Sequence, residues 1–227
     1  MAELSEKSYL AELISDFPAS PDVELDTAWR RVEAHFRAIE EAVPNILGFL
    51  AKEKDPFPLL FSGLSTSLHG FLYRNVLSNA GDCRKSTDPR GGLVAFGPEV
   101  FRNPWGSQFK GAPPTDIPNE MDGAFRLLSR NDRDPVRTSI QFYQRFVRIH
   151  PYYDANGRIA RLLVSVYLLH HDYYVKWREL EQQKKNEFLK KLNACHLREG
   201  SASYEQYFEY LHSFWRKFVI ARKELDS

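Results

Sequence analysis

Residues 150–161 read His-Pro-Tyr-Tyr-Asp-Ala-Asn-Gly-Arg-Ile-Ala-Arg. Proline disfavours the helical conformation in the residue before it, so a helix that precedes Pro151 is expected to end near His150. A second helix is expected to begin at about Asn156 or Gly157. The segment 150–161, called the motif segment below, would therefore join two helices through a short loop, with an imidazole at the end of the first helix.

The start of the second helix has the features of a phosphate site. The first backbone N–H groups of a helix have no intrahelical partners, and this end of the helix dipole favours anions. Gly157 would let a phosphate oxygen come close to the backbone. Arg158 and Arg161 are three residues apart, so they project from one side of the helix, and guanidinium groups match phosphate oxygens well. Because cations at this end oppose the dipole, the pattern indicates an anionic ligand.

The other polar residues of the motif segment suit catalysis on a phosphate. Neutral imidazole is the commonest general base near neutral pH, which makes His150 a candidate. Asp154 could hold Mg²⁺, which prefers carboxylate and phosphate oxygens. Asn156 could donate from its side chain to a phosphate oxygen while it supports the turn. Each residue alone is ordinary, but the full combination has a chance frequency on the order of one in a billion per start site.

Apolar residues recur at helical spacing over most of the chain, which predicts an all-α domain. Pro44 is expected to break or kink the second of the predicted helices. These helices cover about 8–14, 26–50, 60–76, 119–129, 135–149, 157 onward, 177–195 and 204–225. Residues 85–119 are rich in proline and glycine, which argues against a helix there, and the extended pieces 92–96 and 108–112 could pair as a small hairpin.

Composition argues against several classes of protein. The 227 residues include 31 Lys and Arg against 30 Asp and Glu, so no general basic field for nucleic acid is expected. Cys83 and Cys195 lie far apart, which does not fit a disulfide framework or a zinc site. Apolar runs are shorter than the ~20 residues of a membrane span, and no secretory signal is visible. We therefore expect a cytoplasmic protein without a nucleic-acid or membrane partner, with export by a signal-less route left open.

The motif segment resembles the signature of the Fic (filamentation-induced-by-cAMP) family, His-Pro-Phe-x-Asp/Glu-Gly/Ala-Asn-Gly/Lys-Arg-x-x-Arg. Every polar position matches, and Tyr152 stands where Phe is usual. Residues 68–72 and 80–84 resemble an early helix and a Gly-x-Tyr-Arg turn of the family, with Cys83 in the place of Tyr, and residues 113–118 resemble the end of the family's flap. The similarity covers about 60–215. It implies a Fic-like helical domain in 56–227 with a small β-hairpin flap, after an N-terminal helical extension in 1–55.

The resemblance implies a protein adenylyltransferase, which moves AMP from ATP to a Ser, Thr or Tyr hydroxyl of a protein and releases pyrophosphate. His150 would take the proton of the hydroxyl, and Asp154 would hold Mg²⁺ between the α- and β-phosphates. The remaining roles fall on nucleotide-binding residues: an anion hole from the backbone after Asp154 with Asn156, and a clamp on the β- and γ-phosphates. The nucleotide-binding set is Asp154, Ala155, Asn156, Gly157, Arg158 and Arg161.

Two alternatives stay open at this point. Gly157 favours AMP transfer, because a kinase-like branch of the family has Lys there, but transfer of UMP or phosphocholine uses a similar signature. A nucleotide-binding regulatory module without turnover is the second alternative. The flap at 92–112 is implied to bind an extended segment of a target protein by backbone pairing. Inhibition by a segment of this chain is left open, and inhibition by a separate protein partner, or none, is an equal alternative.

Overall fold

The computed structural model describes residues 25–96 and 109–224 of the chain, and these ranges are mainly helical. The eight α-helices in them are α1 (Leu25–Lys52), α2 (Phe57–Tyr73), α3 (Ile117–Phe125), α4 (Pro135–Ile149), α5 (Asn156–His170), α6 (Trp177–Gln183), α7 (Lys185–His196) and α8 (Tyr204–Trp215). Two small antiparallel sheets accompany them. In one sheet β1 (Ala95–Phe96) pairs with β2 (Phe109–Lys110), and in the other β3 (Tyr173–Val175) pairs with β4 (Val219–Ala221). The predicted all-α class is confirmed.

Helices α4 and α5 form the centre of the fold. Helices α1 and α2 pack on α5, while α3, α7 and α8 pack on α4. The apolar side chains of the central pair recur at spacings of three and four, which places them on the buried faces. Those with no exposed surface include Ile140, Phe142, Phe146, Ile159, Leu163 and Tyr167. The loop that joins these two helices is therefore held at both ends by the core.

The ends of the central helices lie where the sequence predicts them. Helix α4 begins after Asp134, whose side chain accepts from the backbone N–H of Arg137 at 3.1 Å, with proline as the first helical residue. Its last residue is Ile149, and His150, which follows, has a left-handed backbone (φ 54°, ψ 59°). Ala155 is also left-handed (φ 59°), and α5 begins directly after it. A break before Pro151 and a new start at Asn156 are thus confirmed.

The hairpin predicted in the proline-rich region is also confirmed, with shorter strands than expected. Ala95 pairs with Lys110 and Phe96 with Phe109. The backbone N–H of Ala112 donates to the carbonyl of Ile149 at 2.9 Å, which fixes the base of the hairpin to the end of α4. Residues 97–108, between the strands, lie outside the described residues.

Some predicted elements differ from the structure. Of the break or kink expected at Pro44, the break does not occur: helix α1 continues through this residue. Apolar residues on either side, such as Ile39 and Leu50, stay buried against the core and offset the lost hydrogen bond. The predicted helix 177–195 is two helices, which meet at Lys184 (φ −133°).

The last predicted helix ends at Trp215, well short of residue 225. The β-branched residues Val219 and Ile220 form β4 with β3 instead. The predicted helix at 8–14 lies outside the described residues. None of the helices described in 25–96 and 109–224 has the combined length and hydrophobicity of a membrane span.

Candidate active site

The loop between α4 and α5 opens onto a cavity of about 240 Å³. Every residue predicted for the site lines this cavity: His150, Asp154, Ala155, Asn156, Gly157, Arg158 and Arg161. The opposite wall comes from α4, α6 and α7 and was not predicted, since residues far apart in the chain give no local signal. Its members are Tyr143, Trp177, Leu180, Glu181, Lys185, Phe188 and Leu189.

His150 is held as a neutral imidazole. Burial lowers its pKa from 6.5 to about 3, the carbonyl of Val147 works against this shift, and the nearby charge of Arg84 adds to it. Its Nδ1 lies 3.3 Å from the carbonyl oxygen of Val147. Because a carbonyl can only accept, this contact places the proton on Nδ1 and leaves Nε2 with a free lone pair. A lone pair of this kind can receive a proton.

Arg84 fixes the backbone around His150. It is only 2% exposed, and its guanidinium donates from Nε to the carbonyl of His150 at 2.7 Å. It also donates from Nη2 to the carbonyls of Ala112 (2.9 Å) and Ile149 (3.2 Å), and from Nη1 to that of Gly92. The one side chain therefore joins the hairpin base to the end of α4. The resemblance had placed Arg84 in a turn without giving it a role.

The loop is ordered by Asn156. Its Oδ1 accepts from the backbone N–H of Tyr152 at 2.9 Å, and its Nδ2 donates to the carbonyl of the same residue at 2.8 Å. The side chain is 2% exposed. In the structure its oxygen and one N–H of its nitrogen are used inside the loop. The second N–H of the nitrogen is left for the donation to a phosphate that the sequence analysis expects.

Tyr152, which replaces the usual Phe, is accommodated by α2. Its hydroxyl lies 2.9 Å from Oγ of Ser65, so the additional polar group has a partner. Its ring stacks on His69 with centroids 3.9 Å apart. His69 accepts from the backbone N–H of Gly81 at Nδ1 (3.0 Å), and burial lowers its pKa to about 3. A neutral histidine therefore supports the loop from behind.

Asp154 is oriented by Tyr73, whose hydroxyl donates to Oδ2 at 2.6 Å. Among the described residues, no group of three or more His, Cys, Asp or Glu side chains is placed to hold a metal ion. Mg²⁺ is commonly held by one or two carboxylates together with phosphate oxygens. A single carboxylate beside a helix N-terminus fits a magnesium ion that arrives with a polyphosphate.

The start of α5 presents backbone and two cations to the cavity. A Cβ added to Gly157 would have no heavy atom within 4 Å among the described residues, so the fold itself does not require glycine there. Arg158 lies over the ring of Trp29 of α1, with 5.4 Å from its Cζ to the ring centroid. Arg161 forms an ion pair with Glu181 of α6. Space at the backbone and two guanidinium groups suit a phosphate chain.

A larger groove of about 670 Å³ lies between the hairpin and α4. Its apolar walls come from both hairpin strands and their flanks, including Leu93, which is 64% exposed. Its charged residues are partly linked: Arg148 donates to the backbone carbonyl of Lys110 and, at 3.1 Å, to Glu199. The groove is thus lined by both apolar and charged residues.

A family model for Fic/DOC proteins matches residues 65–168, which include Arg84 and the whole motif segment. The chain carries a Fic/DOC family domain. A probable protein adenylyltransferase from Aquifex aeolicus (strain VF5) is 37% identical over 67 residues, which are 29% of this chain and 21% of that relative. The alignment therefore spans about a fifth of the relative's length.

Solved Fic structures share the fold at low identity. A Fic family protein from Desulfovibrio desulfuricans G20 superposes with a TM-score of 0.55 at 17% identity, covering 95% of this chain and 61% of that one. The N-terminal Fic domain of a putative cell filamentation protein from Bartonella quintana, with bound ADP, gives 0.50 at 13% identity, covering 85% and 88%. These similarities establish the helical Fic fold.

Proposed function

We propose that the protein is an adenylyltransferase that moves AMP from ATP to a Ser, Thr or Tyr hydroxyl of a target protein. The observation that carries the proposal is the joint presence in one cavity of a neutral imidazole, a carboxylate, a helix N-terminus and two arginines. The name of the A. aeolicus relative and the ADP bound to the B. quintana domain agree with it.

The reaction follows from the positions of the groups. The hydroxyl oxygen of the target attacks the α-phosphorus, and its proton passes to Nε2 of His150. The bond from the α-phosphorus to the bridging oxygen breaks, and pyrophosphate leaves. Backbone N–H groups at the start of α5, with Arg158 and Arg161, stabilise its negative charge. Mg²⁺ held by Asp154 and phosphate oxygens would neutralise further charge.

The size of the cavity limits how the nucleotide binds. Sites for small molecules usually measure about 300–1,000 Å³, and 240 Å³ is smaller. Glu181 lines the cavity and forms an ion pair with Arg161, which is also proposed to bind the phosphates of ATP. We therefore propose that the ion pair opens when ATP binds, so that the arginine exchanges a carboxylate for phosphate oxygens.

The target protein is proposed to bind along the hairpin region 92–112. The groove between the hairpin and α4 adjoins Ile149, the residue before His150, so a segment lying there would pass close to the imidazole. Backbone pairing with a strand accepts many sequences, while apolar and charged groups in the groove select among them. Lys110, Arg145, Glu120 and Glu199 are the charged groups available for this selection.

Labelled ATP tests the proposal directly. The protein is incubated with a lysate, Mg²⁺ and ATP labelled at the α- or the γ-phosphate; transfer of AMP labels proteins from α-labelled ATP alone. His150→Ala should abolish the label, and His171→Ala, at the far end of α5, should not. Label that persists in His150→Ala would exclude the catalytic role. Mass spectrometry of modified protein then separates AMP from UMP or phosphocholine, and nucleotide binding without transfer would favour a regulatory module.

A further inference from the structure

His150 is in contact with the hairpin through an aromatic stack. The ring of Phe96 lies parallel to the imidazole, with centroids 4.5 Å apart and 10° between the planes. Phe96 is directly paired with Phe109 across the hairpin, and their rings stack at 5.6 Å. The hairpin therefore presents two adjacent rings on the side that faces the imidazole.

His196, the last residue of α7, completes this cluster from the other side. Its ring meets Phe96 at 6.0 Å and 87°, and Phe109 at 5.5 Å and 64°. Both are edge-to-face contacts, which aromatic pairs favour because the positive edge of one ring meets the negative face of another. The side chain is 5% exposed. We call Phe96, Phe109, His150 and His196 the aromatic cluster.

A hydrogen-bonded chain fixes the orientation of His196. The hydroxyl of Tyr204 donates to Oε1 of Gln144 (3.2 Å), so the amide nitrogen of Gln144 faces the histidine and donates to Nδ1 (3.3 Å). The proton of the neutral ring is therefore on Nε2, which is buried and has no hydrogen-bond partner among the described residues. Burial, Arg148 and His150 lower the pKa of His196 to about 3. The ring is therefore uncharged, and its contacts with Phe96 and Phe109 are packing contacts.

We infer that Phe96 and His196 are positioning residues, which join the hairpin to α7 and hold the His150 imidazole with Nε2 facing its reactants. The inference rests on the proposed function, since it assigns the support of the proposed base. Two contacts would oppose a turn of the imidazole about its Cβ–Cγ bond: the stack on Phe96 and the bond from Nδ1 to Val147. The same hairpin borders the groove that is proposed to bind the target protein, so target binding and the orientation of the base depend on one element.

The test compares Phe96→Leu with Phe96→Tyr, which keeps the ring, and with Phe49→Leu, an equal change at a residue of α1 that is 52% exposed. ATP affinity is measured by calorimetry and the rate of AMP transfer under single turnover. Phe96→Leu is expected to lower the rate about tenfold with ATP affinity unchanged, since a stack is worth about one factor of ten. Phe96→Tyr and Phe49→Leu should keep the normal rate.

A second readout does not need activity. Nitrogen NMR of the histidines, with the His150 signals assigned from His150→Asn, reports both the tautomer and the pKa of the ring. In the unaltered protein the proton should stay on Nδ1 down to about pH 4, whereas Phe96→Leu or His196→Leu should move the pKa of His150 towards 6.5. An unchanged rate in Phe96→Leu would overturn the inference, and so would an unchanged tautomer and pKa of His150. So would a Phe96→Tyr protein as impaired as Phe96→Leu.

Failure of the proposed function looks different. If no nucleotide is transferred by the unaltered protein, the NMR comparison still decides whether the aromatic cluster holds the imidazole. If transfer occurs and survives in His150→Ala, the proposed base is wrong whatever the NMR result. A Phe96→Leu protein that transfers AMP normally, beside an inactive His150→Ala protein, removes the positioning role and leaves the function intact.

Discussion

Replacing Gly157 by alanine should raise stability and weaken nucleotide binding at the same time. The residue is the second of α5 and has an ordinary helical backbone, and a Cβ there would meet no described atom within 4 Å. Alanine is favoured over glycine in a helix by about 0.5–1 kcal/mol. In a chain of this size, 1 kcal/mol moves the melting temperature by about 2–4 °C. The expected gain is therefore about 1–4 °C.

The effect on binding has the opposite sign. The methyl group would project from a residue that lines the cavity, next to the N–H groups proposed to hold phosphate oxygens. Losing one hydrogen bond to a charged group costs about 1.5–3 kcal/mol, which corresponds to roughly 10- to 150-fold in Kd. No contact among the described residues opposes the methyl group, so the loss of affinity would come from contacts with the ligand.

Thermal unfolding and calorimetry with ATP and Mg²⁺ measure the two effects separately. Gly63→Ala is the matched control, since this glycine is also in a helix, is exposed and has no described atom within 4 Å of its added Cβ. Gly63→Ala should stabilise the protein and bind ATP normally. If Gly157→Ala bound ATP as tightly as the unaltered protein, the phosphates would not lie at the start of α5. A lower melting temperature would show that the space is not open.

Three more substitutions probe the region around the site. Glu181→Gln should tighten ATP binding by up to about fivefold in calorimetry, because Arg161 is released from a partly exposed ion pair worth about 0–1 kcal/mol. The control Glu179→Gln should leave the affinity for ATP unchanged. Weaker ATP binding by Glu181→Gln would contradict the reasoning. Arg84→Met should lower the free energy of unfolding, measured in urea, by at least about 3 kcal/mol, because several backbone carbonyls in the interior lose a charged donor. A loss below about 1 kcal/mol would show that Arg84 does not hold the hairpin base and the end of α4 together. The pKa of His69 is lowered from 6.5 to about 3, so the unfolded chain binds a proton first as pH falls, and stability is lost between about pH 6.5 and 3. His69→Gln should therefore reduce the pH dependence of the free energy of unfolding in this range by about 1.4 kcal/mol per pH unit. Urea titrations at several pH values measure this, and an unchanged pH dependence would refute the assignment.

The parts of the fold that were predicted correctly depend on local rules. A proline disfavours the helical conformation in the residue before it, so the end of α4 next to His150 could be predicted from the sequence alone. The hairpin could be placed because proline and glycine exclude a helix from its region. The strands β3 and β4 were missed because they pair residues more than forty positions apart, and neither strand exceeds three residues. In so short a segment, two β-branched residues are not enough to distinguish a strand from the frayed end of a helix.

The same limit applies to the site. One wall of the cavity could be predicted from the motif segment, because the residue types and spacing there indicate a phosphate site. The direction of each side chain depends on what surrounds it, as Asn156 demonstrates: its amide turns into the loop because two backbone groups of Tyr152 are within reach. The opposite wall depends on how α6 and α7 pack, and the pairing of Glu181 with Arg161 has no sequence signal.

Helix α1 shows that the site extends beyond the matched range 65–168. Trp29, only 7% exposed, lies beneath the guanidinium of Arg158, and α1 packs on both α2 and α5. A cation on an aromatic face gains about 0.5–2 kcal/mol, and a fixed guanidinium loses less entropy when it binds phosphate. The division of the chain at residue 55 marks where the sequence resemblance stops and stays a prediction. In the packing, the helix before that position orients an arginine proposed to bind the nucleotide.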